Sequence, residues 1–380
     1  MEIKGRSKKE ILAELRLILG EDAKYEDGRT LCSMCTSPQS IAKIAHQMFL
    51  CSNLGDSGLF PGSRRLEQDV VRKLLDLLNG RNGVGFIVTG GTEANLLALL
   101  AARNWLDVSN PEVLLPESAH FSFNKICNSL KLKPVWAELD NADRVIPESV
   151  ERGITDQTVA IVGTAGTAEL GAVDPIARLS KIALAHGIPL HVDAALGGLV
   201  IPFLDPDEEN ALEFDFSLEG VKSVTVDPHK MGMSTVPSGG ILFRDRAFLE
   251  YIKTKTPYLS DKVQYTFVGT RSAASVAATW AVFESLGQEG FRKTVRRCIA
   301  LTKLLAKNVR ALGMKLVSEP TLNIVAFRTS NSKQTVEMLR KRGWFVSYVP
   351  RLDCLRLVIM PHLRRQHIQA FLKDLSKIEQ

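Results

Sequence analysis

The fold of this chain is decided by Val226-Asp227-Pro228-His229-Lys230. An apolar strand is predicted to end at Asp227, because Pro228 lacks the backbone N–H that a strand ladder needs. His229 and Lys230 then lie on the loop at the carboxyl end of that strand, which is where open α/β sheets bind their ligands. Burial there would lower the pKa of Lys230 and make it a nucleophile toward carbonyl groups. Taken alone, Lys230 fits an ordinary surface lysine better, so its surroundings must decide.

Strands and helices alternate along the central part of the chain. Short apolar runs predict strands at Val84–Thr89, Val113–Leu115, Val159–Gly163, Leu190–Asp193, Ser223–Val226 and Gly239–Phe243. Segments of helical periodicity between them predict helices at Glu93–Trp105, Phe121–Leu130 and Ile176–Ala185. Apolar strands without polar alternation are buried on both faces, and intervening helices indicate a mainly parallel sheet. The pattern predicts a three-layer α/β domain.

The two ends of the chain have other patterns. Near the N-terminus, helices are predicted at Lys8–Leu19 and Arg64–Leu78, with an irregular stretch over residues 21–63 between them. After about residue 285, a long helix and shorter strands and helices predict an α+β unit, with strands near Leu322–Phe327, Trp344–Val349 and Leu355–Met360. We therefore predict an N-terminal segment (1–55), a large domain (56–285) and a small C-terminal domain (286–380).

Asp193 lies at the carboxyl end of another predicted strand. A buried and unpaired carboxylate costs too much free energy to be kept, so Asp193 is expected to have a partner. A protonated pyridine nitrogen is one such partner, because a charge-assisted hydrogen bond keeps that ring protonated. A structural ion pair or a helix cap would satisfy Asp193 equally well.

Two further groups follow predicted strands. The turn at Gly90-Gly91 opens a helix at Thr92, where free backbone N–H groups and the helix dipole favour an anion such as phosphate. The turn lacks the Gly-Lys-Ser/Thr ending of a P-loop, and a plain capped turn is the alternative. His120 follows the strand Val113–Leu115 and could stack on a flat heterocycle, although a lone histidine is more often structural. All four groups lie at one predicted edge of the sheet.

The composition narrows the class of protein. The chain has 380 residues, of which 45% are hydrophobic and 24% charged, as in large soluble globular proteins. The formal net charge of +6 is spread along the chain, which favours solvated helix faces over a nucleic-acid surface. The longest run without a charged or polar side chain, Ala194–Leu204, is shorter than the about 20 residues of a membrane span. We expect no nucleic-acid or membrane partner.

The six cysteines are scattered along the chain, which indicates a reduced, cytoplasmic protein. Cys32 and Cys35 have the spacing of half a zinc site. Because the sequence offers no second pair of ligands at such a spacing, we expect no metal.

Several motifs occur together in the order found in a known family. GGTEAN at 90–95, HFS at 120–122, HVDAA at 191–195 and DPHK at 227–230 resemble the fold-type I enzymes of the group II decarboxylase class, which use pyridoxal 5′-phosphate (PLP). The likeness is strongest to the archaeal L-tyrosine/L-aspartate decarboxylases and runs from Ser33–Thr36 to Ile359–His362. It implies a PLP-dependent transferase-like fold, in which a mainly parallel seven-stranded sheet forms the large domain.

The resemblance implies a role for each matching residue. Lys230 would hold PLP as a Schiff base, Asp193 would pair with its pyridine nitrogen, and His120 would stack on its ring. The other implied PLP contacts are Gly91, Thr92 and His229 at the phosphate, Thr164 at the ring edge and Ala195 on the second ring face. Arg356 would bind the substrate carboxylate. Gly269 and Thr270 would reach a phosphate in the neighbouring subunit, which implies a homodimer with shared active sites.

The implied reaction is α-decarboxylation of an L-amino acid. Tyrosine would give tyramine for methanofuran synthesis, and aspartate would give β-alanine for coenzyme A synthesis. Gln39 stands where the family pattern has histidine, and Ala165 where many relatives have threonine. Tyr258 or Tyr265 could protonate the product, and the sequence does not choose between them.

Other functions remain open at this level. A carbon–carbon lyase of the sphingosine-phosphate lyase type would share the threonine- and lysine-bearing edge of the sheet and the Gly-Thr/Ser-Arg loop. It would need a pocket suited to retro-aldol cleavage and usually carries a membrane anchor. A PLP enzyme acting on aminoacyl-tRNA would need a concentrated basic face. A catalytically inactive scaffold is disfavoured by the intact pair of Lys230 and Asp193.

Overall fold

A seven-stranded sheet forms the centre of the computed structural model, which describes residues 5–206 and 212–379. Its strands are β1 (Val84–Val88), β2 (Glu112–Pro116), β3 (Lys133–Ala137), β4 (Thr158–Thr164), β5 (Leu190–Asp193), β6 (Val221–Val226) and β7 (Gly239–Phe243). The spatial order is β1-β7-β6-β5-β4-β2-β3, and among these described strands β7 is the one that runs in the opposite direction to the others. The predicted mainly parallel seven-stranded sheet is confirmed.

Strand β3 is the one strand of this sheet that the apolar pattern does not predict. It contains Pro134 and the exposed residues Lys133 and Trp136. Because β3 lies at the edge of the sheet, it can tolerate a proline, and some of its side chains can remain exposed to water. An edge strand therefore lacks the continuous apolar run that marks the buried strand β4.

The helices are α1 (Lys8–Gly20), α2 (Ser40–Met48), α3 (Pro61–Leu77), α4 (Gly91–Leu106), α5 (Ser122–Leu130), α6 (Pro147–Arg152), α7 (Ile176–His186), α8 (Ala273–Ala311), α9 (Ser332–Lys341) and α10 (Arg365–Ser376). The predicted irregular stretch 21–63 is wrong at α2, a short helix in which only Ala42 is buried. Ile41, Ile44 and Met48 have the spacing of an apolar helical stripe, which the sequence prediction overlooked, and all three are exposed in the structure.

Helices cover both faces of the central sheet. Along β4, Ile161 packs in the cluster that includes residues of α3 and α7, whereas Val162 packs with residues of α4 and α5. Successive side chains of a strand point to opposite faces, so these two clusters are the two sides of one sheet. The predicted three-layer arrangement is confirmed.

A smaller antiparallel sheet follows α8. Its order is β10-β11-β13-β12, with β10 (Lys315–Leu316), β11 (Ile324–Arg328), β12 (Ser347–Val349) and β13 (Cys354–Val358), while β8 (Thr254–Lys255) and β9 (Val263–Gln264) form a separate hairpin. One apolar cluster joins this sheet to the large one. Residues 1–4, 207–211 and 380 of the predicted domains lie outside the described residues.

The N-terminal segment lies against the smaller sheet. Leu31 accepts a hydrogen bond from Val358 N (2.7 Å) and donates one to Phe345 O (2.8 Å). This pairing carries the residues that follow Leu31 toward the central sheet. In the described part of the chain, no helix is both long and apolar enough to cross a membrane.

Candidate active site

A cavity of about 320 Å³ lies where β4, β5 and β6 end and α4 begins. The sequence predictions converge on it. It is lined by the predicted site residues Gly91, Thr92, His120, Thr164, Asp193, Ala195, His229 and Lys230. Three predicted residues, Gly269, Thr270 and Arg356, are not part of its lining.

Lys230 lies on a tight turn after β6. Its backbone N–H donates to Asp227 O (3.0 Å), and its Nζ lies 3.1 Å from Asp227 Oδ2. Burial lowers the pKa of Lys230, but the carboxylates of Asp227 and Asp193 outweigh burial and hold this pKa above its ordinary value. The expected lowering of the lysine pKa is therefore wrong for the protein alone, because two acids face the ammonium.

Asp193 ends β5, and both of its carboxylate oxygens accept hydrogen bonds. Asn95 Nδ2 donates to Oδ2 (2.8 Å), and the backbone N–H of Ala195 donates to Oδ1 (3.1 Å). Asn95 in turn contacts His191, two residues before Asp193 on the same face of β5. Asp193 is thus a buried carboxylate with a fixed orientation at the wall of the cavity.

The glycine turn at Gly90 and Gly91 forms another wall of the cavity. Gly90 has φ of 151°, which favours glycine, and the first hydrogen bond of α4 runs from Ala94 N to Gly90 O (3.1 Å). The backbone N–H groups of the first turn therefore have no partner within the helix. A Cβ at Gly91 would lie 3.1 Å from Asp227 Oδ2 and 3.4 Å from the Ala195 Cβ, so a side chain there would fill the gap.

His229 lies beside this turn. Its Nδ1 bonds to the carbonyl oxygen of Ser238, which leaves Nε2 on the side of the cavity. A Cβ at Gly90 would come within 3.5 Å of the imidazole Cε1. The imidazole and the free N–H groups at the start of α4 therefore border the same space, and such N–H groups favour an anion.

His120 and Thr164 line other walls of the cavity. The His120 Nδ1 accepts a hydrogen bond from Ser122 N (3.3 Å), which leaves Nε2 to carry the proton of the neutral ring. Burial lowers the pKa of His120, partly opposed by the charge of Asp193. Thr164 is held by its backbone N–H, which donates to the buried carboxylate of Asp174 (2.7 Å).

Gly269 and Thr270 are exposed and lie against Gly55. A neighbouring contact links them to the glycine turn, because Val268 N donates to Glu93 Oε1 (3.0 Å) on the first turn of α4. Tyr258 is 87% exposed and Tyr265 stacks on Phe86, so neither tyrosine lines the cavity.

Arg356 lies on β13, behind the N-terminal segment. Its Nη1 donates to Cys32 O (3.0 Å), and burial lowers the pKa of its guanidinium to about 10. Within the described residues, Arg356 Nε has no hydrogen-bond partner. Met34, two residues beyond Cys32, lines the cavity, so one short segment joins Arg356 to the cavity wall.

This segment is fastened to the end of the smaller sheet by His362. The imidazole bonds through Nε2 to Thr30 O (2.9 Å) and through Nδ1 to Thr36 Oγ1 (3.0 Å). The ring of Tyr25 packs on it at 4.9 Å. The two bonds bracket Met34 and hold it in place.

The comparison with known sequences decides the family. The profile of the "Pyridoxal-dependent decarboxylase conserved domain" matches residues 56–330. The chain belongs to this family. It is therefore a carboxy-lyase that uses PLP, as the motifs predict.

Relatives in sequence and in structure agree with this membership. A probable L-tyrosine/L-aspartate decarboxylase of Methanosphaera stadtmanae is 46% identical, over 99% of this chain and 98% of its own. The L-aspartate decarboxylase of Thermococcus kodakarensis is 45% identical over the same shares, 99% and 98%. The sphingosine-1-phosphate lyase of Burkholderia pseudomallei superposes with a TM-score of 0.91 at 27% identity, over 99% of this chain and 91% of the lyase chain.

The residues present fit the cofactor of this decarboxylase family. The buried hydroxyl of Thr164 has no hydrogen-bond partner among the described residues, although Thr164 lines the cavity. A flat ligand with polar substituents would supply one. The glycine turn and His229 form a cradle that suits a phosphate.

A second groove, of about 490 Å³, lies beside β1 and is larger than the cavity. Its lining includes Arg271, which makes a buried ion pair with Glu67 and also donates to Ile87 O (2.7 Å). Lys230 and Asp193 line the smaller cavity and not this groove.

Sequence reasoning missed several polar residues around the site. Asn95 and Asp227 stand within the quoted motifs, but no role was predicted for them. His191, Ser223 and Thr225 are buried polar residues in the two central strands β5 and β6. Polar residues at every second position of a buried strand are the signal that could have found them.

We expect His191→Gln to weaken the pH dependence of stability. Burial lowers the pKa of His191 from 6.5 to about 4 in the folded protein. The unfolded chain thus binds the proton more tightly, so the stability present above the unfolded pKa is lost as the pH falls toward the folded pKa. Between pH ~7 and ~5 the loss is about 2 kcal/mol.

Urea unfolding of both proteins at the two pH values measures this contribution. The wild type should lose more unfolding free energy than His191→Gln, whereas His186→Gln, at an exposed histidine, should behave as the wild type. Equal losses in the wild type and in His191→Gln would contradict the expectation.

Proposed function

We propose that this carboxy-lyase removes the α-carboxylate of an L-amino acid, and that its substrate is L-tyrosine, L-aspartate or both. One observation carries the proposal: Lys230, Asp193 and Gly91, distant in sequence, face one cavity. The printed activities of the M. stadtmanae and T. kodakarensis relatives support these two substrates. The products would be tyramine for methanofuran synthesis or β-alanine for coenzyme A synthesis, made in the cytoplasm.

Lys230 would carry PLP covalently, and Asp193 would bond its ring nitrogen. When bound, PLP supplies a sink for the electron pair left on the substrate when carbon dioxide departs. Lys230 must lose a proton before its nitrogen can attack a carbonyl group. Asp227 Oδ2, 3.1 Å from Lys230 Nζ, is placed to accept that proton.

The phosphate would lie against Gly91, Thr92 and His229. The free N–H groups of the first turn of α4 and the dipole of this 16-residue helix would hold it. This anchor fixes the position of the ring, and positioning decides which substrate bond aligns with it.

His120, Ala195 and Thr164 would position the ring. His120 would lie on one face and the Ala195 methyl group on the other, while the Thr164 hydroxyl would meet a substituent at the ring edge. The neutral His120 Nε2–H, left unoccupied by the bond from Ser122, can donate a hydrogen bond toward the substrate side.

Arg356 would bind a substrate carboxylate. Its guanidinium is planar and presents donors in a fork, which matches the two oxygens of a carboxylate. The bond from Nη1 to Cys32 O fixes one side of that fork. Burial strengthens such a pair because little water competes for the donors.

The homodimer is supported by two features of the chain. Gly269 and Thr270 are exposed and do not line their own cavity, which leaves them accessible to a neighbouring subunit. Helix α1 has no buried residue, and Leu15 and Ile18 on it are 54% and 53% exposed. A second copy that covers this apolar helix would gain hydrophobic free energy, about 25 cal/mol for each Å² buried.

We also propose that the large domain covers residues 56–285 and the small domain residues 286–380, after the N-terminal segment 1–55. Helix α8 breaks at Gly287, where φ is 54°. A break in α8 at the end of the large domain would allow the helical segments before and after Gly287 to run in different directions, one in each domain.

A carbon–carbon lyase is the second candidate, because the B. pseudomallei lyase shares the fold over 99% of this chain. The two reactions differ in product: a decarboxylase releases carbon dioxide and an amine, whereas this lyase class releases an aldehyde. The product therefore separates the two candidates.

Lys230→Ala is expected to abolish turnover, because Lys230 is the one lysine that lines the cavity among the described residues. The PLP-loaded wild type should release carbon dioxide and tyramine or β-alanine when given L-tyrosine or L-aspartate, measured by mass spectrometry. The variant should also lose the visible absorbance of protein-bound PLP. Lys307→Ala, at an exposed lysine of α8, is the control and should match the wild type. Full turnover in Lys230→Ala, or an aldehyde as the product, would refute the proposal.

Arg356→Lys is expected to lower kcat/KM for the amino acid by about tenfold to a hundredfold, because the charge remains but the bidentate fork is lost. The affinity for PLP should stay within about threefold of the wild type, since Arg356 is not among the residues proposed to contact PLP. Steady-state kinetics and a PLP titration measure the two effects. An unchanged kcat/KM would exclude Arg356 from substrate binding.

The double variant Leu15→Glu, Ile18→Glu is expected to weaken the dimer, because two charges would be buried at the interface. Analytical ultracentrifugation of the wild type should give twice the mass of the 41.9 kDa chain. Leu184→Glu, at an exposed leucine of α7, should leave the dimer unchanged. A monomeric wild type would end the dimer proposal.

A further inference from the structure

A network of buried polar side chains lies behind Asp193. The parallel pairing of β5 and β6 sets His191 opposite Ser223 and Asp193 opposite Thr225. These four residues lie on the same face of the sheet, and Asn95 on α4 packs over that face. Asn95 contacts three of them: Asp193, His191 and Thr225. All five residues are at most 6% exposed. Burying so many polar groups costs free energy, so each must be hydrogen-bonded.

The direction of every hydrogen bond in this network of five residues can be worked out from Asp193. A carboxylate oxygen only accepts, so the Asn95 atom 2.8 Å from Asp193 Oδ2 is the amide nitrogen. The Asn95 oxygen therefore faces Thr225 Oγ1 (2.7 Å) and His191 Nε2 (2.9 Å), and both must donate to it. This places the proton of the His191 ring on Nε2.

The other ring nitrogen of His191, Nδ1, makes the last hydrogen bond of the network. Nδ1 lies 2.9 Å from Ser223 Oγ, so the Ser223 hydroxyl donates to it. Burial lowers the pKa of His191 to about 4, against the opposing charge of Asp193, so the ring is neutral near neutral pH. Each donor thus points toward Asp193: from Ser223 to His191, then to Asn95, then to the carboxylate.

We propose that Asn95 is a positioning residue that holds the Asp193 carboxylate for the cofactor, and that His191 and Thr225 fix the orientation of the Asn95 amide. The inference rests on the proposed function in one respect, that Asp193 faces the ring nitrogen of PLP. Asn95 Nδ2 and the Ala195 N–H restrain the two carboxylate oxygens. A carboxylate held in this way needs no reorganisation when a positively charged ring meets it.

Removal of the Asn95 amide should weaken PLP binding to the apo-protein. Asn95→Ala is expected to raise the Kd for PLP about tenfold, which corresponds to about 1.4 kcal/mol. Asn95→Asp should raise it further, about a hundredfold, because two carboxylates would then face each other. The probe is PLP itself, titrated into apo-protein and followed by quenching of tryptophan fluorescence.

Two conservative variants test the orientation of the amide. Thr225→Val keeps the shape of the side chain but removes one donor to Asn95, and is expected to raise the Kd about twofold to fivefold. His191→Leu should raise the Kd more than His191→Gln, because only glutamine can still donate to Asn95. Thr302→Val, at a buried threonine of α8, is the matched control and should leave the Kd unchanged.

A visible spectrum separates positioning from stability. If Asn95 positions Asp193, Asn95→Ala loaded with PLP should show a shifted absorbance maximum or a shifted pH titration of that absorbance, together with a lower kcat. A variant that is less stable but binds PLP with the wild-type Kd and spectrum would overturn the inference. A wild type that binds no PLP would overturn the proposed function as well, so the two failures are distinguishable.

Discussion

The register of β5 against β6 is the constraint on which the site depends. It sets His191 beside Ser223 and Asp193 beside Thr225, and it turns these four side chains toward α4. A shift of one residue would turn the same side chains to the opposite, apolar face of the sheet. The register also sets where β6 ends, and therefore where the lysine turn enters the cavity. The pairing of these two buried strands thus determines where Asp193 and Lys230 lie relative to each other.

The side of the cavity toward the small sheet is built differently. Residues 30–36 are an irregular segment held from outside by His362 and by the pairing of Leu31 with β13. Their carbonyl and side-chain groups connect Arg356 to Met34 at the cavity wall. Strands of the central sheet therefore position Asp193 and Lys230, whereas a loop held by hydrogen bonds forms the wall of the cavity that faces the small sheet.

The sequence predicts well what depends on local pattern. Buried parallel strands, the glycine turn and the ends that carry Asp193 and Lys230 are visible as apolar runs followed by polar residues. Contacts across the fold are not visible: Asn95 and His191 are 96 residues apart and meet only because α4 packs on β5. The raised pKa of Lys230 has the same origin, because it depends on two carboxylates brought close by the fold.

The central claim is that Asp193 and Lys230 bind opposite ends of one cofactor molecule in this cavity. A crystal structure of the protein soaked with PLP tests it most directly. The account predicts continuous density from Lys230 Nζ to the cofactor and a distance of about 2.7–2.9 Å between the Asp193 carboxylate and the ring nitrogen. PLP attached to another lysine, or a ring whose nitrogen faces away from Asp193, would contradict it.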